Sequence, residues 1–475
     1  TGATLAALLG LQGVSVLVLE REAEIYDLPR AVHFDDETMR VFQGVGIADH
    51  LKDKVIINPG ARFVDCDGKV LVDWPRPTAI TENGWHASYR FHQPDLERIL
   101  RAKLASIGDV DVRLGHLVDG LEDHGSHVSI SYWDRQKGRS GKARARCVVG
   151  CDGARSTVRD AMQTPMSALG FEQRWLVVDV LLNRDKLALG RHTLQFCSPE
   201  RPATYCCNVG LRRRWEFALL DGEQDADMLR QDTVWACLKR WIGPDDAELE
   251  RIAIYTFKSE VAEAWVKGRL LLAGDAAHLT PPFMGQGLCA GIRDAANLAW
   301  KLAYSLKRRD DGALLATYES ERKPHVTHYI KTAARMGAIV NELDAGIKSL
   351  PDIQSYDGTV HLKSVKRPLG PGLGDPDDKN RGMLFPQFIC KNGERSDELV
   401  GHAFFLAIDR RGSVSGGWPP EGQTLCCEAE PNLKTALASI DAHAAVVRPD
   451  KHILASTNDA ETIEEMLNRA RDVWS

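Results

Sequence analysis

The sequence predicts an α/β chain whose main domain is built around a buried parallel sheet. Apolar runs at residues 14–19 and 270–273 have the length and composition of buried parallel strands. A helix rich in small residues precedes the first run, and a Gly-Asp pair ends the second. Between these two runs, shorter apolar segments flanked by turn residues predict a second, mostly antiparallel sheet.

The beginning of the chain has the pattern of a Rossmann-like dinucleotide-binding unit. Residues 3–11 predict a helix, Gly13 ends it, and the strand that follows leads to Glu20. In such a unit the helix start faces a pyrophosphate, and an acid after the second strand binds the adenosine ribose. Gly2 would be the third glycine of Gly-x-Gly-x-x-Gly, so we expect the first strand to be missing. An ordinary α/β segment explains this half motif equally well.

The second apolar run leads to a carboxylate and a glycine turn. Asp275 follows the strand, and Gly285-Gln286-Gly287 precedes a helix predicted over residues 288–306. Ligands of parallel sheets bind at this edge, where a helix start also offers backbone N–H donors. Asp275 can accept hydrogen bonds from a ribityl chain, and the amides near Gly287 and Leu288 can stabilise charge on a reduced isoalloxazine. These residues therefore favour a flavin.

Composition argues against several other functions. The length of 475 residues predicts two or three domains, and a net charge of -6 with a pI near 6.2 predicts no nucleic-acid partner. We expect no membrane association, because no apolar run approaches the roughly 20 residues of a membrane span. The start of the chain lacks the pattern of a signal peptide. The cysteines show neither Cys-x-x-Cys nor zinc-type spacing, which predicts reduced thiols, no metal site and a cytoplasmic location.

Three motifs occur in an order and spacing typical of one enzyme family. They are the half motif ending at Glu20, Cys151-Asp152-Gly153-Ala154-Arg155-Ser156, and Gly274-Asp275 with Pro281-Pro282 and Gly285-Gln286-Gly287. Together they resemble the signatures of the group A FAD-dependent aromatic hydroxylases, which have the p-hydroxybenzoate hydroxylase fold. Residues 29–37, 91–96 and 291–302 give a finer resemblance to the 3-(3-hydroxyphenyl)propionate hydroxylases.

The resemblance implies a monooxygenase that hydroxylates a phenolic ring with NADH or NADPH and O2, through a flavin C4a-hydroperoxide. It also implies a role for Asp152 and Arg155 in the passage of the nicotinamide cofactor. Cys289 departs from the family, where Asn is frequent, so only a backbone contact is expected there. The residues implied to bind FAD are Gly2, Ala3, Glu20, Arg21, Arg30, Gln93, Asp152, Arg155, Gly274, Asp275, Pro282, Gly285, Gly287, Leu288 and Cys289.

Because the first strand and its amide donors are missing, we expect these residues to retain FAD weakly or not at all.

Candidates for the catalytic groups are fewer. His33, Tyr205 and the backbone at Pro281 or Pro282 would ionise or position the phenol. A structurally satisfied histidine explains His33 equally well, and Tyr205 fits a sheet residue better than a catalytic one. For a substrate with a carboxylate, Arg201 and residues 212–214 are candidate anchors, although solvated turns explain these arginines more simply.

Composition divides the chain into segments. Residues 1–160 and 266–350 predict the two parts of the FAD-binding domain, residues 161–265 the substrate-binding sheet, residues 351–380 a linker, and residues 381–475 a domain that is thioredoxin-like in the relatives. The last domain lacks Cys-x-x-Cys, so we expect it to serve packing or subunit contact, a homodimer being one such contact. The expected partners are a small aromatic substrate and O2.

Two other functions stay open at this point. A flavin enzyme of the same fold would perform epoxidation or Baeyer-Villiger oxidation, and a non-catalytic module would only bind flavin. Product identity separates hydroxylation from the first alternative, and substrate-stimulated oxidation of NADH or NADPH separates it from the second.

Overall fold

The parallel strands predicted at the two ends of the cofactor domain are present. The computed structural model describes residues 1–308, 312–341, 354–356, 359–361, 366–409, 422–471 and 473. Val16–Glu20 pairs in parallel with Val110–Leu114, and Val148–Gly150 pairs in parallel with Leu270–Leu272. These two pairs belong to separate sheets, and both line one cavity.

Long helices cover this part of the molecule. Gly287–Arg308 forms because its apolar residues repeat along one face, and it packs against Gly2–Leu11 and Ala313–Asn341. Asp35 caps the helix Asp36–Val45 by accepting a hydrogen bond from the Thr38 N–H. The other α-helices of the described ranges are Ala48–Leu51, Gln93–Ala105, Thr157–Met162, Asp225–Met228, Gln231–Leu238, Ser396–Val400, Leu433–Ser439 and Ile463–Arg471.

None of the helices in the described part of the chain is long and apolar enough to cross a membrane.

A large, mostly antiparallel sheet forms the second layer, as predicted. Its strands, in spatial order, are His278–Leu279, Ala247–Ala262, Met166–Leu182, Arg212–Ala218, Ala203–Cys207, Thr193–Phe196, Gly60–Val64, Val70–Pro75, Thr359–His361 and Gln354–Tyr356. The sheet is therefore not built from residues 161–265 alone, since strands from the predicted first segment and the predicted linker join it. The other domain boundaries stay predictions.

The two faces of this sheet differ in chemistry because side chains alternate along each strand. One face packs into an apolar core that contains Tyr205, Trp215 and Phe217. The opposite face carries Asp179, Arg214 and other polar side chains. The turn predicted at residues 212–214 is wrong, because these arginines lie in Arg212–Ala218, where Arg214 pairs with the buried Asp179.

Smaller sheets complete the fold. One joins His33–Asp35, Ser88–Phe91 and Val55–Ile57; another joins His116–Asp123, Val128–Asp134 and Arg139–Ala145; Val266–Lys267 extends the Leu270–Leu272 sheet. In the last domain the strand order is Gln423–Cys426, Phe405–Ile408, Ala444–Val447 and Ile453–Thr457. That domain meets the long helices through the buried ion pair of Arg448 with Glu321, which also pairs with Lys301 of the other long helix. Its thioredoxin-like character stays a prediction.

Candidate functional site

One cavity of about 1700 Å³ runs from the helix Gly2–Leu11 to the polar face of the antiparallel sheet. This volume exceeds the roughly 300–1,000 Å³ of a pocket for one small ligand, so a cofactor and a substrate can share it. Of the residues implied to bind FAD, Gly274 and Cys289 lie behind the cavity wall. Those that line it are Gly2, Ala3, Glu20, Arg21, Arg30, Gln93, Asp152, Arg155, Asp275, Pro282, Gly285, Gly287 and Leu288.

A buried carboxylate fixes the turn that carries Asp275. Gly274 has a φ of 64° and donates its N–H to the Asp294 carboxylate at 3.0 Å. Asp294 is fully buried and also pairs with His278 at 2.7 Å and Arg322 at 2.9 Å. Asp275 itself is exposed to the cavity and makes no hydrogen bond within the described ranges. A carboxylate left open in this way fits the hydroxyl groups of a polyol chain.

The next turn is held by His33. Gly285 has a φ of 64°, and a Cβ at this position would lie 2.7 Å from His33 Nδ1. His33 Nδ1 lies 3.1 Å from the Gly285 carbonyl and Nε2 lies 2.7 Å from the Ser88 hydroxyl. Because a carbonyl only accepts, Nδ1 donates and Nε2 accepts. Burial lowers the pKa of His33 to about 3, so the ring is neutral and both its nitrogens are engaged.

The start of the helix Gly287–Arg308 faces open space. A Cβ on Gly287 would meet no atom within 4 Å. The free N–H groups of a helix start and the helix dipole attract negative charge there. With the open Asp275 carboxylate on the same cavity wall, these residues fit the ribityl chain and ring of FAD.

Two of the residues implied to bind FAD use side-chain oxygens for hydrogen bonds within the protein. The Gln93 side-chain oxygen Oε1 accepts hydrogen bonds from the N–H groups of Arg30 and Ala31, each at 2.8 Å. The Asp152 carboxylate accepts from the Ser156 hydroxyl at 2.5 Å and from the Val158 N–H at 3.2 Å. Both side chains therefore shape the loops that line the cavity.

Of the other catalytic candidates, only Pro282 lines the cavity. Tyr205 is buried on the apolar face of the sheet, outside the cavity lining, and donates to the Gly190 carbonyl at 3.1 Å. The structure therefore does not bring Tyr205 to the site, because it lies one residue out of phase with the polar face. Pro282 lines the cavity, and its carbonyl accepts the Gly285 N–H at 2.8 Å. Pro281 is buried outside the lining.

The expected carboxylate anchors are occupied by protein partners. Arg201 pairs with Glu223, Arg212 lies near Glu250 and Arg213 pairs with Asp185, all outside the cavity lining. Arg214 lines the cavity, but it donates to Asp179 and to the carbonyls of Pro29 and Arg30. The anchor prediction is therefore wrong for the first three arginines, and the donors of Arg214 hold the cofactor loop.

Sequence reasoning missed the polar groups at the sheet end of the cavity. Arg90, Thr204, Glu216 and Arg251 all line it. Burial raises the pKa of Glu216, whose nearest cation is the Arg214 guanidinium at 3.9 Å. The signal that would have found this face is the alternation of Arg214 and Glu216 with aromatic residues in one strand, which is typical of a sheet with one polar buried face.

Comparison with known proteins agrees with this site. Residues 1–333 match the protein family described as FAD binding domain. A probable NADH-specific resorcinol 4-hydroxylase of Rhodococcus jostii is 35% identical over 487 residues, covering 97% of this chain and 91% of that protein. A 3-(3-hydroxy-phenyl)propionate/3-hydroxycinnamic acid hydroxylase of Burkholderia vietnamiensis is 39% identical over 502 residues, covering 99% and 88%.

The fold also has solved counterparts. The structure of aklavinone-11 hydroxylase with FAD and aklavinone superposes with a TM-score of 0.81 at 23% identity, covering 99% of this chain and 97% of that one. Fold, cavity and matches together define a flavin-dependent oxidoreductase. The chain belongs to the FAD-binding domain family, and within it to the FAD-dependent aromatic hydroxylases. The predictions of an enzyme, of FAD and of this family are confirmed.

Proposed function

We propose that this chain hydroxylates a small phenolic compound with NADH or NADPH and O2, at the sheet end of the cavity. The observation that carries the proposal is the continuity of one cavity from the Asp275 turn to the polar sheet face. Bound FAD supplies the redox chemistry, taking electrons from the nicotinamide and activating O2 for transfer of one oxygen atom to the ring. The protein binds and orients the reactants and excludes water.

The cofactor residues have separate roles in this proposal. Gly2 and Ala3 at the helix start bind the pyrophosphate, and Glu20 binds the adenosine ribose. Asp275 accepts hydrogen bonds from the ribityl hydroxyls. The N–H groups of Gly287 and Leu288 stabilise negative charge on the reduced ring, supported by the dipole of the long helix behind them.

The flanking residues complete this end of the cavity. Arg21, Arg30 and Arg155 lie on the cavity wall with exposed side chains and supply positive charge near the phosphates and the nicotinamide cofactor. Gln93 and Asp152 hold the loops on which two of these arginines lie. Gly274 and Cys289 act through their backbone, since the Cys289 thiol is fully buried and lies 3.7 Å from the Gly285 carbonyl.

The substrate space has an apolar wall and a polar wall. Val177, Phe257, Phe283 and Met284 line it on the apolar side and would pack against an aromatic ring. Such a wall keeps water away from the reacting atoms. His33 is a positioning residue in this proposal, because it fixes the Gly285 turn through Nδ1 and has no free nitrogen for a proton.

The experiment that tests the proposal measures NADH and NADPH oxidation at saturating FAD, with and without a panel of phenols. We expect at least one phenol to stimulate oxidation and to yield a product with one added ring hydroxyl, labelled when 18O2 is used. Oxidation that yields only hydrogen peroxide with every phenol would contradict the proposal. An epoxide or a ring-expanded lactone as the product would replace it with the alternative chemistry.

A cytoplasmic location and a homodimer remain part of the proposal. Light scattering of the purified chain tests the second.

A further inference from the structure

Two buried groups at the sheet end of the cavity lack ordinary partners. Arg90 is 5% exposed and Glu216 is 8% exposed, and both line the cavity. Arg90 donates to the Thr193 hydroxyl, while its Nε has no hydrogen-bond partner. The Glu216 carboxylate accepts no hydrogen bond from any residue that the structure describes, and its nearest cation is 3.9 Å away. Buried polar groups are normally hydrogen-bonded, so we expect a bound ligand to provide the hydrogen bonds that these two side chains lack.

The neighbouring charged groups pair with one another, although Arg251 Nε, like Arg90 Nε, has no hydrogen-bond partner. Asp179 is 2% exposed, accepts a hydrogen bond from Arg214 at 2.7 Å and forms an ion pair with Arg251 at 2.7 Å. Arg214 also donates to the Arg30 carbonyl at 2.8 Å, and Arg251 donates to the Tyr255 hydroxyl at 3.2 Å. Glu216 is therefore the carboxylate of this cluster that is left open to a ligand.

Arg90 and Glu216 line the same cavity but make no ion pair with each other. Arg90 is held by Thr193, whose strand pairs with one side of Ala203–Cys207, and Glu216 lies in Arg212–Ala218, which pairs with the other side. A ligand at this end of the cavity therefore meets a donor on one side and an acceptor on the other.

The chemistry of the ligand follows from what each functional group can do. A hydroxyl both donates and accepts, so one hydroxyl can donate to Glu216 and accept from Arg90. A carboxylate only accepts, so it can bind Arg90 but offers Glu216 no donor and places a like charge beside it. The pair therefore complements an uncharged hydroxyl and disfavours a carboxylate.

We propose that Arg90 and Glu216 form a hydroxyl-binding subsite that selects a dihydroxybenzene over a phenol bearing a carboxylate chain. The inference rests on the proposed function, in which the substrate is a phenol and therefore carries one ring hydroxyl. It assigns the second ring hydroxyl to this subsite. The two curated relatives described above carry names of both substrate types, so the subsite separates two real alternatives for this chain.

The test compares resorcinol with 3-(3-hydroxyphenyl)propionate as ligands. Calorimetry on the full chain at saturating FAD measures the Kd of each for the wild type, Glu216→Gln and Arg90→Lys. The matched control is Glu248→Gln, a carboxylate on the same sheet that is exposed and outside the cavity lining. Circular dichroism and the Kd of FAD show that each variant is folded.

We expect the wild type to bind resorcinol more tightly than the arylpropionate by about tenfold or more, the scale of one charge-assisted hydrogen bond. Glu216→Gln weakens resorcinol by about tenfold and tightens the arylpropionate, because the like charge is gone. Arg90→Lys weakens resorcinol because the planar pair of donors is lost. Glu248→Gln changes neither Kd.

Several results would overturn the inference. One is tighter binding of the arylpropionate by the wild type with no change in Glu216→Gln, which would make Arg90 a carboxylate anchor. Another is hydroxylation of other phenols by a chain that does not bind resorcinol, which leaves the proposed function intact. Conversely, resorcinol binding that depends on Glu216, in a chain that hydroxylates no phenol, would support the subsite and contradict the proposed function.

Discussion

The two ends of the cavity hold their polar groups in different ways. At the cofactor end, one short segment, residues 274–287, presents backbone N–H groups and a single open carboxylate. At the sheet end, charged side chains from Met166–Leu182, Arg212–Ala218 and Ala247–Ala262 pair with one another across strands. The cofactor end therefore depends on backbone shape, whereas the sheet end depends on charge balance. Substitutions at the sheet end should therefore lower stability by leaving charges unpaired, whereas those at the cofactor end should weaken FAD binding by changing the backbone or the open carboxylate.

The largest expected effect is at the sheet end. Asp179→Ala leaves the guanidinium groups of Arg214 and Arg251 buried without their shared carboxylate. Breaking a buried pair in this way lowers the free energy of unfolding by about 3–5 kcal/mol. Urea unfolding of the variant measures the loss. The control is Asp221→Ala, an exposed carboxylate, and equal losses in both variants would contradict a sheet end that depends on charge balance.

At the cofactor end, backbone shape is tested by Gly285→Ala. The positive φ disfavours a Cβ by about 1–2 kcal/mol, and the added Cβ would also lie 2.7 Å from His33. Gly125→Ala is the matched control, because it has a φ of 76° with open space around its Cβ position. We expect both variants to lose stability, but only Gly285→Ala to weaken FAD binding, measured by flavin fluorescence. A normal FAD affinity in Gly285→Ala would show that His33 and this turn do not shape the cofactor site.

Replacing the open Asp275 carboxylate should have a smaller effect, on the Kd of FAD. Asp275→Asn keeps the shape of the side chain but removes the charge that strengthens hydrogen bonds to a ribityl hydroxyl, so the Kd of FAD rises by about tenfold. Asp119→Asn, an exposed residue outside the cavity lining, is the control. Unfolding in urea should be unchanged in both. The same FAD affinity in the two variants would remove Asp275 from the cofactor site.

The pH dependence of stability tests His33, which joins the Gly285 turn to Ser88 in the strand that also carries Arg90. His33 has a folded-state pKa of about 3, below the 6.5 of an unfolded histidine. The unfolded chain therefore binds the extra proton first, and the contribution of His33 is complete above pH 6.5 and is lost as the pH falls toward 3. The slope for this one group is about 1.4 kcal/mol per pH unit.

His33→Gln should flatten this slope when unfolding is measured between pH 6.5 and 5, whereas His50→Gln, at an exposed position, should keep it. An unchanged slope in His33→Gln would mean that His33 is not held neutral by burial.

The two ends also differ in what the sequence reveals. Asp275, Gly285 and Gly287 could be predicted because a strand, a turn and a helix start follow one another along the chain, and local sequence dictates each of them. The sheet end could not be predicted in the same way. Its charged groups come from strands far apart in sequence, and pairing register decides which residues meet.

Individual errors have the same physical origin. Tyr205 is a catalytic candidate that the sequence fits better as a sheet residue, and alternation along its strand turns it to the apolar core, while its neighbours Thr204 and Cys206 face the cavity. Residues 212–214 were assigned to a turn, because three consecutive arginines favour solvent. The buried carboxylate of Asp179 reverses that preference for Arg214. The two residues are far apart in sequence and meet only through the pairing of their strands.

The most direct test of the account is a crystal structure of this chain with FAD and resorcinol. We predict that a ribityl hydroxyl lies about 3 Å from the Asp275 carboxylate, a normal hydrogen-bond distance. The isoalloxazine should lie against the N–H groups of Gly287 and Leu288, with the resorcinol between it and Glu216. Flavin density away from the Asp275 turn, or side chains that close the cavity between that turn and the sheet, would contradict the account.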